Sequence, residues 1–250
     1  MKPDLAHLWQ SGSQADHSRY SVSRMNPKQR AAEAALEFLR SGMSLGLGTG
    51  TTADFFLLAL AAALKNGRLR DIRGVPTSRQ SERRAEQLGI PLTSLVQCPR
   101  PDLTVDGADE VSPTLDLIKG LGGALLREKI VAQNSAKVII IADASKSVSK
   151  LGTHSMLPVE VAQFGHEIHA DFLRSLGAIP SLRDAGQGTP FITDNGNYIF
   201  DCKFPNGIED PAGLEQSLRR RAGVVETGLF LGIADIALIA DDNGVEKLTR

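Results

Sequence analysis

Asp106-Gly-Ala-Asp109-Glu110 follows the short apolar stretch Leu103 to Val105, and Lys119-Gly-Leu-Gly-Gly123 follows it in turn. Carboxylates in unlike surroundings can act as general acids and bases. A lysine can hold a developing oxyanion. Glycines let a small ligand approach the backbone. Glu128 lies just beyond the glycine turn, flanked by Arg127 and Lys129. A second segment, Gly46-Leu-Gly48-Thr49-Gly50-Thr51-Thr52, has the composition of a strand-to-helix loop. Backbone amides at a helix start bind anions, and glycine lets a phosphate come close. Thr51 stands where a dinucleotide fingerprint requires its third glycine, and the loop lacks the Gly-Lys-Ser/Thr ending of a Walker motif. A single phosphate on a small molecule fits better than a nucleotide.

Each segment also has a plainer account. Asp106 to Glu110 could hold a divalent cation through oxygens, supply acid and base groups, or form a solvated turn. The threonine loop alone could be a capped turn. Glu128 alone reads as a surface glutamate beside two cations.

The elements that must position these residues follow from periodicity. Asn26-Pro27 starts a helix, as cap and first-turn proline, and apolar Ala32, Ala35, Leu36 and Leu39 share a face until Gly42. Strands are expected at 43–47, 72–75, 92–96, 103–105 and 138–142, and helices at 52–64, 78–88 and 124–132. Strands apolar on both faces, alternating with helices, indicate a covered parallel sheet. Ligands of such sheets bind beyond the carboxyl ends of the strands, where both unusual segments fall. After Leu157-Pro158 the pattern changes to an α+β unit. Strands are expected at 159–164, 191–193, 198–201 and 224–229, with helices at 168–176 and 214–220. Asp194-Asn-Gly-Asn197 reads as a hairpin turn. Ile236 to Ala240 reads as a return to the first sheet. The expected organisation is an extension over residues 1–25, a main domain of 26–154 and 230–250, and an inserted unit of 155–229.

The 250 residues suffice for one large domain or two small ones. With 28 basic against 29 acidic residues, charge offers no reason to expect nucleic acid or an anionic membrane as partner. The longest apolar run, Phe55 to Leu64, is too short to span a bilayer. Two cysteines, Cys98 and Cys202, suit reduced thiols and a cytoplasmic location. His7 and His17 in the extension read as incidental, His166 and His169 as part of a polar helix face. Arg219-Arg220-Arg221 reads as a solvated face or an oligomer contact.

Taken together, Gly48-Thr-Gly-Thr-Thr-Ala53, Val105 to Glu110, Lys119 to Lys129 and Ile141-Ala-Asp-Ala-Ser-Lys146 resemble the A-type ribose-5-phosphate isomerases. Leu157 to Val161, Thr193 to Asn197 and Gly223 to Phe230 extend the resemblance. It implies a Rossmann-like α/β domain with a smaller ferredoxin-like α+β domain. It also implies a homodimer or homotetramer, and catalysis without metal or cofactor in the non-oxidative pentose phosphate pathway. The family's catalytic glutamate falls on Glu128, and Asp106, Asp109 and Lys119 complete the expected catalytic group. Substrate contacts fall on Lys28, Thr49, Gly50, Thr51, Thr52, Gly107, Ala108, Gly120, Leu121, Gly122 and Lys146. The sequence departs from the family pattern at Leu121, where a glycine is usual, and at Thr51, where serine is frequent.

On this resemblance, Glu128 would move a proton between C2 and C1 of a pentose phosphate through an enediolate. Asp106 and Asp109 would handle hydroxyl protons, including opening of the furanose ring, and Lys119 would stabilise the enediolate oxygen. The threonine loop and Lys28 would bind the phosphate and sugar hydroxyls. Two rivals remain in other classes. A sugar-phosphate sensor would need a DNA-reading module, and residues 1–25 are too short for one. A relative of the coenzyme A transferases would use its glutamate as a nucleophile.

Overall fold

The computed structural model describes residues 25–250. The expected extension, with His7 and His17, therefore lies outside the described residues except for Met25. Helix α1 (Pro27–Ala35) is capped by Asn26, whose Oδ1 accepts the Lys28 amide at 2.9 Å. It tightens into a 3₁₀ turn at Leu36–Phe38, and Leu39 is already extended, so the helix stops short of Gly42.

The chain then runs through β1 (Ser44–Leu47), α2 (Thr51–Lys65), β2 (Arg73–Pro76), α3 (Arg79–Gln87) and β3 (Leu103–Asp106). A short hairpin, β4 (Glu110–Val111) and β5 (Leu117–Ile118), precedes α4 (Leu125–Asn134) and β6 (Val138–Asp143). The smaller unit comprises β7 (Leu157–Val161), α5 (His169–Ser175), β8 (Ile179–Leu182), β9 (Asp184–Gly186), β10 (Thr189–Pro190), β11 (Tyr198–Lys203), α6 (Pro211–Arg219) and β12 (Val224–Thr227). The chain ends with β13 (Leu229–Phe230), β14 (Ile236–Ala240) and β15 (Val245–Thr249).

The main sheet has the order β15-β14-β6-β3-β1-β2, parallel throughout except for the β14–β15 edge. Strand β6 shows why its sequence is uninterruptedly apolar. Ile139 and Ile141 pack into one core with Leu60 and Ala32, while Val138, Ile140 and Ala142 pack into another with Phe230 and Leu117. β14 pairs with β6 from Ile236↔Ile139 onward, so the chain does return to the first sheet. Because β1 lies between β2 and β3, consecutive connections leave it in opposite directions. That switch point opens a crevice beyond the carboxyl ends of β1 and β3.

The smaller unit follows a βαββαβ path, with sheet order β12-β7-β11-β8 and a core of its own around Val159, Phe200 and Leu218. This is the expected ferredoxin-like arrangement.

Several local expectations fail for identifiable reasons. Leu92 to Val96 is not a strand. Leu92 makes one bridge to Gly74, and then a turn closes as the Cys98 amide donates to Ser94 O at 2.8 Å. Phe191 to Thr193 is not a strand either; its neighbours Thr189–Pro190 pair instead with β9. The stretch 224–229 breaks at Gly228, where a Cβ would lie 2.3 Å from Lys119 O. The short strands β4, β5 and β13 form a small sheet of their own that periodicity could not reveal. His169 is buried rather than part of a polar face, and burial lowers its pKa. Arg219 reaches Glu215 at 3.7 Å, and Arg221 stacks over the Phe172 ring.

Candidate active site

Gly48 continues β1 by donating to Val105 O at 3.0 Å, which presses the threonine loop against the end of β3. A Cβ at Gly48 would meet Asp106 Oδ1 at 2.3 Å, so only glycine permits this approach. Asp106 Oδ1 accepts the Thr49 amide at 3.0 Å and the Gly107 amide at 2.7 Å. The carboxylate therefore ties the two strand ends together. Thr49 Oγ1 lies 2.8 Å from both Thr77 Oγ1 and Ser78 Oγ, which anchors the loop to the turn between β2 and α3. Thr77 and Ser78 were missed by sequence reasoning. Their only signal is the Pro-Thr-Ser at a strand end, which is also an ordinary helix cap.

Lys28 arrives from α1, distant in sequence, and donates to Thr51 Oγ1 at 3.1 Å. Thr51 and Thr52 open α2, with Gly50 at its cap at a positive φ of 106° that glycine adopts without strain. Free amides and a lysine thus converge on one end of a 15-residue helix, an anion-binding arrangement.

The chemical centre is Lys119. Its Nζ lies 3.1 Å from Asp106 Oδ2, 3.2 Å from Glu128 Oε1 and 2.5 Å from Gly107 O. Lys119, Asp106 and Glu128 are 3%, 2% and 4% exposed, which rules out the reading of Glu128 as a surface residue. One cation cannot neutralise two buried carboxylates. Burial pushes the Glu128 pKa up to about 8; Lys119 opposes the rise and the Asp106 charge adds to it. Burial also raises Asp106, against the pull of Lys119 and two amides. For Lys119 burial works against the charge, but the surrounding carboxylates outweigh it and hold the pKa above the ordinary lysine value. The group therefore keeps a fixed ammonium beside a glutamate poised to exchange a proton near neutral pH. Glu128 Oε2 has no hydrogen-bond partner among the described residues.

These groups surround a cavity of about 110 Å³. Its walls are the loop and helix start (Gly50, Thr51 and Thr52, with Thr49), the β3 end (Gly107, Ala108, Asp109), and the turn (Lys119, Gly120, Gly122). Lys28, Lys146 and Glu128 complete them. Two expected residues stand apart. Asp106 lies behind the wall, with its oxygens facing amides and Lys119. Leu121 does not line the cavity; the residue is 39% exposed, and its amide donates to Asp109 Oδ2 at 3.0 Å. Glu110, the third carboxylate of the motif, turns away altogether and accepts the amides of Gly152, His154 and Ser155. It anchors a loop and takes no part in the site. A larger open groove of about 560 Å³ between α2 and α3 shares Thr49 to Thr51 but holds no lysine–carboxylate group, so the chemistry belongs to the smaller cavity.

Behind the centre, Lys129 is buried and donates to Glu226 Oε1 and Thr227 O, each at 2.7 Å. The Phe230 ring lies between the two lysines, 5.5 Å from Lys119 Nζ and 4.8 Å from Lys129 Nζ. Its burial corrects the expectation of a surface cation beside Glu128.

The family model described as ribose 5-phosphate isomerase A (phosphoriboisomerase A) matches residues 73–244. A ribose-5-phosphate isomerase A of Roseiflexus castenholzii is 52% identical over 221 residues, covering 88% of this chain and 94% of that protein. Among solved structures, a D-ribose-5-phosphate isomerase in complex with phospho-erythronic acid superposes with a TM-score of 0.87. It is 42% identical over 90% of this chain and 100% of its own. The ribose 5-phosphate isomerase of Plasmodium falciparum gives a TM-score of 0.86 at 39% identity, covering 89% of this chain and 97% of its own. On the agreement of this cavity, this fold and these similarities, the chain belongs to the ribose 5-phosphate isomerase A family.

Proposed function

We propose that the cavity around Lys119 is where this isomerase interconverts D-ribose 5-phosphate and D-ribulose 5-phosphate, with Glu128 as the base. The observation that carries the assignment is the buried Lys119 shared between Asp106 and Glu128. The α2 start, with Lys28 and Lys146, takes the phosphate. Asp109, on the cavity wall, exchanges the hydroxyl proton during ring opening. Glu128 then removes the C2 proton of the open aldose, and the negative charge that develops on oxygen is met by the Lys119 ammonium. The O2 hydroxyl proton passes to O1, and the same carboxyl returns its proton to C1 as the C2 carbonyl forms, which leaves Glu128 ionised and ready for another turn. Asp106 keeps Lys119 and the threonine loop in register from behind. The fixed charge of Lys119 does the work of an electrophile, so no metal or cofactor is called for. Preorganised donors of this kind contribute about 2.7–4 kcal/mol each to the transition state.

The experiment is to incubate the purified protein with ribose 5-phosphate in the presence of a chelator. Ribulose 5-phosphate, with solvent deuterium entering C1, is expected. No turnover overturns the reading, and turnover that requires added magnesium or manganese reassigns the aspartates as metal ligands.

We also infer that residues 26–154 with 230–250 form the catalytic domain and 155–229 the inserted unit. The chain is proposed to act in the cytoplasm as a homodimer or homotetramer. The free Cys98 and Cys202 support the location, and the exposed apolar Phe164, Ile168 and Ile192 support self-association. Sedimentation as a monomer would overturn the latter.

A further inference from the structure

Three of the five residues of the Lys119–Gly123 turn are glycines and Leu121 is exposed, so contacts from elsewhere must set its shape. Arg183, just past β8 in the smaller unit, donates from one guanidinium nitrogen to Gly120 O at 3.2 Å and Leu121 O at 3.0 Å. Its other two nitrogens grip Asp201 on β11, Nε at 2.8 Å and the second terminal nitrogen at 2.5 Å. Both side chains are 11% exposed. The guanidinium also lies over the Phe191 ring at 5.6 Å, and that ring fills the space a Cβ at Gly123 would need. The peptide units of residue 121 are thus held at both ends: its carbonyl by Arg183 and its amide by the Asp109 carboxylate. A displacement of the turn must move Asp109.

We propose that Arg183 is a positioning residue for the isomerisation, a strut from the smaller unit that sets Asp109 through the Leu121 peptide. The proposal rests on the isomerase reading above. Arg183 does not itself line the cavity or contact the phosphate loop and reaches the cavity wall through the Gly120 carbonyl, so it acts on turnover and spares substrate capture. Its planar fork spans a carboxylate and two carbonyls at once, which a lysine cannot do.

Kinetics at 25 °C on wild type, R183K, D109N and R183K/D109N, with circular dichroism melts of each, test this. R183K is expected to melt cooperatively, to retain KM within about threefold and to lose about 10- to 100-fold in kcat, the scale of an ångström-sized misplacement. In the D109N background, R183K should change kcat by less than about twofold, because the ionisable carboxyl that it positions is gone. Full kcat in folded R183K overturns the proposal, as does a loss that multiplies undiminished onto D109N or one that only follows the unfolded fraction. If R183K does not fold, D201N leaves Arg183 present but unanchored, and the same losses are expected of it. Wild-type turnover is read separately, so an inactive wild type counts against the isomerase reading, whereas an active R183K counts against Arg183 alone.

Discussion

Glu128 owes its properties to arithmetic among charges more than to its own position. Two buried carboxylates share one lysine, and burial raises the pKa of each. Replacing Glu128 with Gln preserves shape and removes the base. Steady-state kinetics should show kcat lower by about 10²–10⁴-fold with KM little changed. A near-normal kcat would transfer the role to Asp109. The pH profile has a definite sign. Glu128 must be ionised to accept the C2 proton, so kcat/KM should rise with pH along a limb near the pKa of about 8 and level off above it. Asp106 pushes that pKa up, so D106N should move the limb to lower pH. A limb that stays put, or moves upward, would mean that another group limits the rate. The motif made Glu128 a candidate, but its burial could not be read from Arg127-Glu-Lys129, where two flanking charges look like a solvated surface.

At the scale of elements, the anion site is the start of α2, and its geometry depends on β1, β3 and α1 meeting there. Thr52 lies on the cavity wall with a hydroxyl that Val can replace almost isosterically. T52V should weaken capture of the phosphorylated substrate by about 1.5–3 kcal/mol, seen as a raised KM with kcat largely retained. An unchanged KM would put the phosphate elsewhere in the cavity. The loop was legible because helix starts, glycines and hydroxyl residues carry their own local rules. The role of Lys28 was not local: only the packing of α1 beside α2 brings it to Thr51. Likewise β4, β5 and β13 are two-residue strands with no periodicity to detect, yet they place Lys119 against Gly228.

At the scale of the whole molecule, the smaller unit braces the catalytic helix. Lys129 on α4 is buried against Glu226 and Thr227 of β12, and its pKa is lowered by burial. Removing the cation strands a buried glutamate. K129M should therefore cost about 3–5 kcal/mol in urea denaturation. A loss below about 1 kcal/mol would show that Arg219, 3.9 Å from Glu226, suffices as partner.

The sequence alone determined the parallel sheet, from strands apolar on both faces, and the end of it at which a ligand binds. It also determined the isomerase family, from ordered motifs spread over most of the chain. These signals are local or repeat along the backbone, so they survive without coordinates. Tertiary structure decided which carboxylates share Lys119, why Glu110 and Leu121 turn away, and how Arg183 and Lys129 support the site from the smaller unit. Those outcomes depend on burial and on distances between residues far apart in the chain. A carboxylate has the same letter whether it is solvated, capped by amides or buried beside a lysine.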